Sequence, residues 1–426
     1  MRQILRGARL VDPVQGIDEH KDLLIEKGRV VDILKPGEKV SDAKLVELDG
    51  LVITPGLVDI HTHLREPGYE WKETVATGAE AAVFGGFTAI ACMANTDPVN
   101  DNPAVTEYIL ERARLADLAQ VYPIGAISKG LKGEELSEIA SLCEHGCVGF
   151  SDDGRPVMDA GLMRRAMEYA GAFDRVLISH PEDENLSAGG VMNESAIATE
   201  LGLPGAPSAA EEAMVARESI LAGMTRAKVH LAHLSTRGSI KLVRQAKDRG
   251  INITCESCPH YFTLTELAVK QSGYNANTRV NPPLRGEDDR QAIIDALADG
   301  TIDCISSDHA PHNLAVKEVE FVAAASGISG IETSLALGLK LVREKKLKLA
   351  RLIELMSSNP ARIIGIEAGS LKPGMPADIS VIDLDRKWTV ASKNFKSLGK
   401  NTPFEGLELC GRAVRVFVKG KPIKLD

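Results

Sequence analysis

His61 and His63 lie one residue apart at the end of a short apolar run, Leu57-Val58-Asp59-Ile60, entered from the turn Thr54-Pro55-Gly56. Side chains two apart on a strand project to the same side. The two imidazoles thus form a pair of nitrogen donors suited to zinc or a similar divalent ion. Arg65 follows two residues later and shares that side if extended backbone continues. A guanidinium beside a metal points to recognition of a carboxylate or phosphate, whose geometry its fork matches. A His-x-His pair by itself is usually two ordinary histidines. Its weight here depends on where the remaining histidines and aspartates fall.

That is decided by the elements that carry them. From residue 57 onward, apolar strand-like runs at 57–61, 87–92, 121–126, 147–151, 175–180, 229–234, 252–256 and 302–307 alternate with helical patterns. The helical stretches are 73–84, 103–115, 134–143, 159–169, 209–222, 240–249 and 290–298, and Ser208 with Glu211 reads as a capping box opening the fifth of them. Eight strands alternating with helices predict a (β/α)8 TIM barrel rather than an open doubly wound sheet. No G-x-G-x-x-G or P-loop sits at a strand-to-helix turn, which weakens a nucleotide-binding reading. Before the barrel, short apolar runs at 3–5, 8–11, 22–25 and 30–34 are separated by glycine turns; after helices at 330–343 and 349–357, alternation returns at 377–383 and 413–421. Both chain ends are therefore expected to pair into one small flanking β-sandwich. The expected division is 1–54 and 366–426 in that β unit, with 55–365 as the barrel.

Active sites of such barrels sit at the C-terminal ends of the strands. Reading those ends in order gives His61 and His63, then Asn95, then Asp152 and Asp153, then His180, His233 and Asp308, with His312 shortly after. His61, His63, His180 and His233 converge on one mouth with the acids that follow strands 4 and 8, which predicts a metal site. His230 lies three residues before His233 and reads as structural, His309 should point away from Asp308, and His20, His145 and His260 have no comparable placement.

Composition excludes several classes. The 426 residues carry a formal charge of −9 and are 44% apolar, enough for a sizeable core and with no basic face for nucleic acid or an anionic membrane. The N-terminal stretch has no apolar signal core, and no later run reaches the ~20 apolar residues of a membrane span. A cytoplasmic protein is expected. Seven cysteines, an odd number in a long chain, argue against a disulfide framework. Cys255-Glu-Ser-Cys258 lacks the second ligand pair of a structural zinc site.

The stretch Asp59-x-His61-x-His63-Leu-Arg65-Glu-Pro-Gly68 resembles the signature of the dihydroorotase branch of the amidohydrolase superfamily. Met93-Ala-Asn95-Thr96, Asn281-Pro-Pro-Leu-Arg285, Ser307-Asp308-His-Ala-Pro-His312 and Asn401-Thr-Pro-Phe-Glu-Gly406 are similar to further motifs of that branch, and 369–378 to the superfamily's C-terminal sandwich. The likeness covers essentially the whole chain. It implies His61, His63 and Asp308 on one zinc and His180 and His233 on a second, one or two ions per chain. Asp308 would be the catalytic acid–base. Arg65, Asn95 and His312 would hold a substrate carboxylate, with His63 also among the substrate contacts. Asn281 would touch the pyrimidine ring, and the backbone at Ser326-Gly327 would add a contact, Ser326 standing where an aromatic is more usual. Many amidohydrolases bridge two metals with a carboxylated lysine at strand 4; this strand runs into Ser151-Asp152-Asp153, and the likeness is to the subgroup with an aspartate there, Asp153. The implied reaction is reversible cyclisation of N-carbamoyl-L-aspartate to L-dihydroorotate and water in pyrimidine synthesis. Allantoinase or hydantoinase chemistry, or a non-catalytic scaffold for aspartate transcarbamoylase, are the alternatives. A homo-oligomer or a complex with that transcarbamoylase is what the family suggests.

Overall fold

A computed structural model describes residues 2–425. Eight strands form one all-parallel sheet in chain order: β1 (Leu57–Thr62), β2 (Phe87–Cys92), β3 (Gln120–Gly125), β4 (Gly149–Phe150), β5 (Val176–Ser179), β6 (Val229–Leu231), β7 (Ile253–Ser257) and β8 (Cys304–Ile305). The sheet closes on itself just past the strand ends. Thr62 bridges His309 in parallel register, and the His63 amide donates to the His309 carbonyl at 2.9 Å. The chain is a TIM barrel, and the closing seam lies at the His61–His63 stretch.

Successive strands contribute Val58, Ile60, Ala89, Ala91, Ile124, Val176, Ile178, Ala232 and Cys304 to one buried cluster. Each such aliphatic side chain removed from water stabilises the fold by about 1.5–3 kcal/mol. The helices lie between the strands and begin at side-chain caps such as Thr74, Asn102 and Thr236, each satisfying an orphan amide of the first turn.

Both chain ends build the flanking sheets, as the alternation predicts. Val52–Pro55 pairs antiparallel with Ile379–Thr389, which pairs with Glu408–Val418 in a six-stranded sheet. A four-stranded sheet from residues 2–47 packs on it, with Leu5, Leu23, Ile25, Ile53, Ile379, Val381 and Phe417 in the shared core.

Several local expectations are corrected. Helix 134–143 begins only at Ile139; Gly133 sits at φ 68, and Ser128 bridges Leu136 instead. The strands Ile17–His20 and Lys44–Glu47 are unannounced, because they are mostly polar edge or near-edge strands. The Ser208–Glu211 capping box is absent: the helix is capped at Pro207 without a side-chain bond. Glu211 instead accepts from the amide of Ser235 at 3.1 Å, from its hydroxyl, and from the amide and hydroxyl of Thr236, each at 3.1 Å. Among the described residues no helix is long and apolar enough to cross a membrane.

Candidate metal centre and its cavity

His61 and His63 stand at the end of β1, Asp153 beyond β4, His180 beyond β5, His233 beyond β6 and Asp308 beyond β8. All six are buried. Asp153 is the hub: its Oδ1 lies 3.4 Å from His61 Nε2, 3.3 Å from His180 Nδ1 and 3.4 Å from His233 Nε2, and its Oδ2 lies 3.4 Å from His63 Nε2. Asp308 Oδ1 is 3.2 Å from His63 Nε2 and 3.6 Å from His61 Nε2.

Outer contacts fix which ring nitrogen faces inward. His61 Nδ1 donates to Glu256 Oε1 at 2.6 Å, His63 Nδ1 to Asn95 Oδ1 at 3.0 Å and His180 Nε2 to Glu182 Oε2 at 2.9 Å. In the neutral imidazole the other nitrogen is then a bare acceptor, and metal-bound histidines are oriented in this way.

The donor set fits a divalent ion. Zinc bonds of about 2.0–2.1 Å in tetrahedral geometry set ligand atoms about 3.3–3.4 Å apart, close to the 3.2–3.6 Å separations of carboxylate from imidazole here. His61 Nε2 has no hydrogen-bond partner although fully buried, and His180 Nδ1 faces His233 Nε2 at 2.8 Å. His180 Nδ1 and His233 Nε2 both lie within 3.4 Å of Asp153 Oδ1, a place for a proton or a metal cation. Two groups of three can close on one ion: His61, His63 and Asp308, or His61, Asp153 and His233.

Electrostatics agree. Despite burial, the imidazoles around it, with His63 Nε2 at 3.2 Å, hold Asp308 down at about 2. Against the same burial penalty, Asp153 and Glu182 hold His180 up at about 10, so the field there favours a cation at Nδ1. Burial, more than its carboxylate neighbours, lowers His63, keeping it neutral.

Beside the ligands is an open cavity of about 500 Å³, whose wall includes Arg65, Asn95, Asn281, His312, Ser326 and Gly327 together with His63, Asp153, His180, His233 and Asp308. Apart from Asp152, the residues assigned to the site from sequence reach this cavity or the metal set beside it. The route is not always the expected one. Extended backbone does not continue to Arg65, which sits at φ 63. Glu66, buried beside it, accepts from the Val75 amide at 2.8 Å, Tyr108 at 3.0 Å and Arg112 at 2.7 Å, pinning the loop that presents the guanidinium. A Cβ at Gly68 would meet the Asp97 carbonyl oxygen at 2.0 Å, so this loop requires glycine. Burial draws Arg65 down to about 10, opposed only through space by Asp308, Asp153 and Glu73, and its Nε has no partner. The cavity therefore holds an unpaired guanidinium that is still charged at neutral pH.

Asp152, the other acid at β4, is occupied: it accepts from the Ile127 and Ser128 amides at 2.7 and 3.0 Å. His309 turns to Glu73 at 3.3 Å, away from Asp308 as expected. Sequence reasoning missed Glu182 and Glu256. It also missed Lys317, a buried lysine whose Nζ donates to the Ala325 and Gly327 carbonyls at 2.8 and 3.0 Å. With Arg279, which donates to the Phe321 carbonyl at 2.8 Å, it holds the 313–329 loop over the cavity.

A family model described as dihydro-orotase-like matches residues 50–239. A dihydroorotase of Syntrophus aciditrophicus (strain SB) is 53% identical over 422 residues, covering 99% of each chain. One of Geotalea daltonii is 50% identical over 423 residues, again 99% of each. Among solved structures, an L-hydantoinase (dihydropyrimidinase) from Arthrobacter aurescens superposes with a TM-score of 0.89 at 27% identity, covering 100% of this chain and 96% of its own. A dihydropyrimidinase from Brevibacillus agri NCHU1002 reaches 0.87 at 22% identity over 100% and 95%, a likeness of fold.

Proposed function

The chain is a cyclic amide hydrolase that belongs to the dihydroorotase family, and from that premise we propose that it interconverts N-carbamoyl-L-aspartate with L-dihydroorotate and water in pyrimidine synthesis. The observation that carries this reading is the unpaired Arg65 guanidinium in the cavity beside the six metal-ligand candidates. A ring substrate bearing an exocyclic carboxylate satisfies it; an uncharged ring leaves it half-buried and unmatched.

In this reading His61, His63 and Asp308 would hold one zinc and His180 and His233 a second, with Asp153 as a further carboxylate ligand in the place other amidohydrolases give to a carboxylated lysine. When bound, zinc polarises the ring carbonyl and lowers the pKa of a water to about 7. The protein's own groups do the rest. Arg65 and Asn95 Nδ2 grip the exocyclic carboxylate, fixing the ring amide at attacking distance. For His312 to join them, its Nε2–H exchanges the Ser326 carbonyl, now 2.9 Å away, for the substrate. Asn281, whose Nδ2 donates to Glu182 at 2.8 Å, presents its carbonyl oxygen to a ring N–H, and the backbone at Ser326-Gly327 flanks the ring. Asp308, a carboxylate at neutral pH, accepts the proton of the attacking water at a free oxygen and delivers it to the departing ring nitrogen. The 313–329 loop, held by Lys317 and Arg279, limits bulk water.

The same reading makes the protein cytoplasmic and oligomeric, with aspartate transcarbamoylase as a partner. Leu314, Val319 and Val322, exposed on the loop over the cavity, support a partner on that face. The hydantoinase alternative draws on the solved neighbours and is separated by substrate. Dihydroorotate is expected to be hydrolysed with a kcat/KM at least about 10²-fold above that for hydantoin, dihydrouracil or allantoin, since a site built around a buried charge rejects ligands that leave it unpaired. Equal or better turnover of hydantoin would overturn the assignment.

A further inference from the structure

Beneath the metal ligands lies a carboxylate that the reaction does not use. Glu256, on β7 and fully buried, receives four hydrogen bonds from three different segments of the barrel. His61 Nδ1 donates to Oε1 at 2.6 Å and the His233 backbone amide to Oε1 at 3.3 Å. Ser306 Oγ donates to Oε2 at 2.5 Å and His230 Nε2 to Oε2 at 3.2 Å. His230 is itself held from its other side by the Thr254 hydroxyl at 2.8 Å, which leaves its Nε2 carrying the hydrogen. Cys304 has its sulfur 4.0 Å from His230 Nε2.

We propose that Glu256 is the positioning residue of the metal centre, fixing one histidine of each ligand set from below. Its contact with His61 holds the imidazole plane and puts the proton on Nδ1, so Nε2 faces the cavity as a bare donor. That Nε2 is buried and has no hydrogen-bond partner. Its contact with His233 acts on the backbone. His233 sits at φ 36, a left-handed conformation that a non-glycine residue adopts only when its surroundings hold it, at a cost of order 1–3 kcal/mol. The Glu256 side chain accepts from the His233 amide, and the Glu256 carbonyl accepts from the Leu234 amide at 2.9 Å. The same residue thus clamps the turn that aims His233 at Asp153. Ser306 and His230 anchor Oε2, so Oε1 has little freedom to follow either ligand if it moves.

A buried carboxylate with four donors is itself well satisfied. Isosteric Glu256→Gln removes the charge and turns one acceptor atom into a donor, which in either orientation of the amide faces two groups that donate to the carboxylate. Outer-sphere partners of metal-bound histidine typically contribute 10–100-fold to affinity.

The inference rests on the metal-centre reading, and the experiment separates the two. Metal-stripped parent and Glu256→Gln proteins are titrated with zinc against a chromophoric chelator, and with cobalt(II) followed by its visible spectrum. The variant is expected to bind zinc about 10–100-fold more weakly and to show an altered cobalt spectrum even at saturating metal, which a merely structural residue would not produce. Parent-like zinc affinity and an unchanged cobalt spectrum in the variant would overturn the proposal. A parent that binds neither metal would overturn the metal-centre reading instead. If Glu256→Gln does not fold, Ser306→Ala keeps the carboxylate but frees Oε2. It is expected to weaken zinc binding about threefold or more, less than the 10–100-fold of a direct partner of the histidine because it acts one contact further out, and parent-like affinity there overturns the proposal equally.

Discussion

Asp308→Asn is expected to lower kcat for dihydroorotate hydrolysis by about 10³-fold, in the middle of the range for removing a positioned acid–base group, while the protein still takes up zinc. The amide keeps an oxygen at the ligand position, 3.2 Å from His63 Nε2 and 3.6 Å from His61 Nε2 in the parent, but cannot accept a proton. The parent carboxylate is held at about 2 in spite of burial, so it is ionised and free to take up a proton at neutral pH. Steady-state kinetics with zinc analysis of the same sample separates the roles. Turnover near the parental rate would remove Asp308 from the proton transfer. Loss of zinc in step with activity would make it a ligand only.

Arg65→Ala is expected to act on binding. Truncating one partner of a buried, hydrogen-bonded charge pair costs about 2–5 kcal/mol, which corresponds to a KM for dihydroorotate raised by about 10²-fold, with a much smaller change in kcat. The loop keeps its shape in the variant, because Glu66 and its bonds to Val75, Tyr108 and Arg112 hold it without the guanidinium. An unchanged KM would mean that the substrate carboxylate is gripped elsewhere in the cavity. The remaining cation on the wall is Arg279.

The parts of this centre legible in the sequence are those whose position follows from a local period. Eight apolar runs alternating with helices place strand ends, and strand ends place His61, Asp153, His180, His233 and Asp308 without knowledge of any contact. Asp153 was legible as the acid standing where a lysine is more usual. Its approach to within 3.4 Å of all four histidines is a property of barrel closure, not of its own segment. Glu256 was hidden for the same reason. Locally it is one acid between two cysteines, and its meaning comes from His61, 195 positions away. Glu182 and Lys317 likewise act through neighbours distant in sequence or through loop carbonyls. The Ser208–Glu211 pattern shows the converse. Its spacing was right for a cap, but the Glu211 carboxylate is spent on Ser235 and Thr236 behind His233, where tertiary demand outweighs local capping.

The most direct test is dihydroorotate hydrolysis by the purified chain, stripped with a chelator and titrated back with zinc, with and without aspartate transcarbamoylase. Activity is expected to vanish on stripping and to return in proportion to zinc, saturating at one or two ions per chain. Full activity in the stripped protein, or none in the zinc-saturated protein even with the transcarbamoylase present, would contradict a zinc-dependent dihydroorotase built on His61, His63, Asp153, His180, His233 and Asp308.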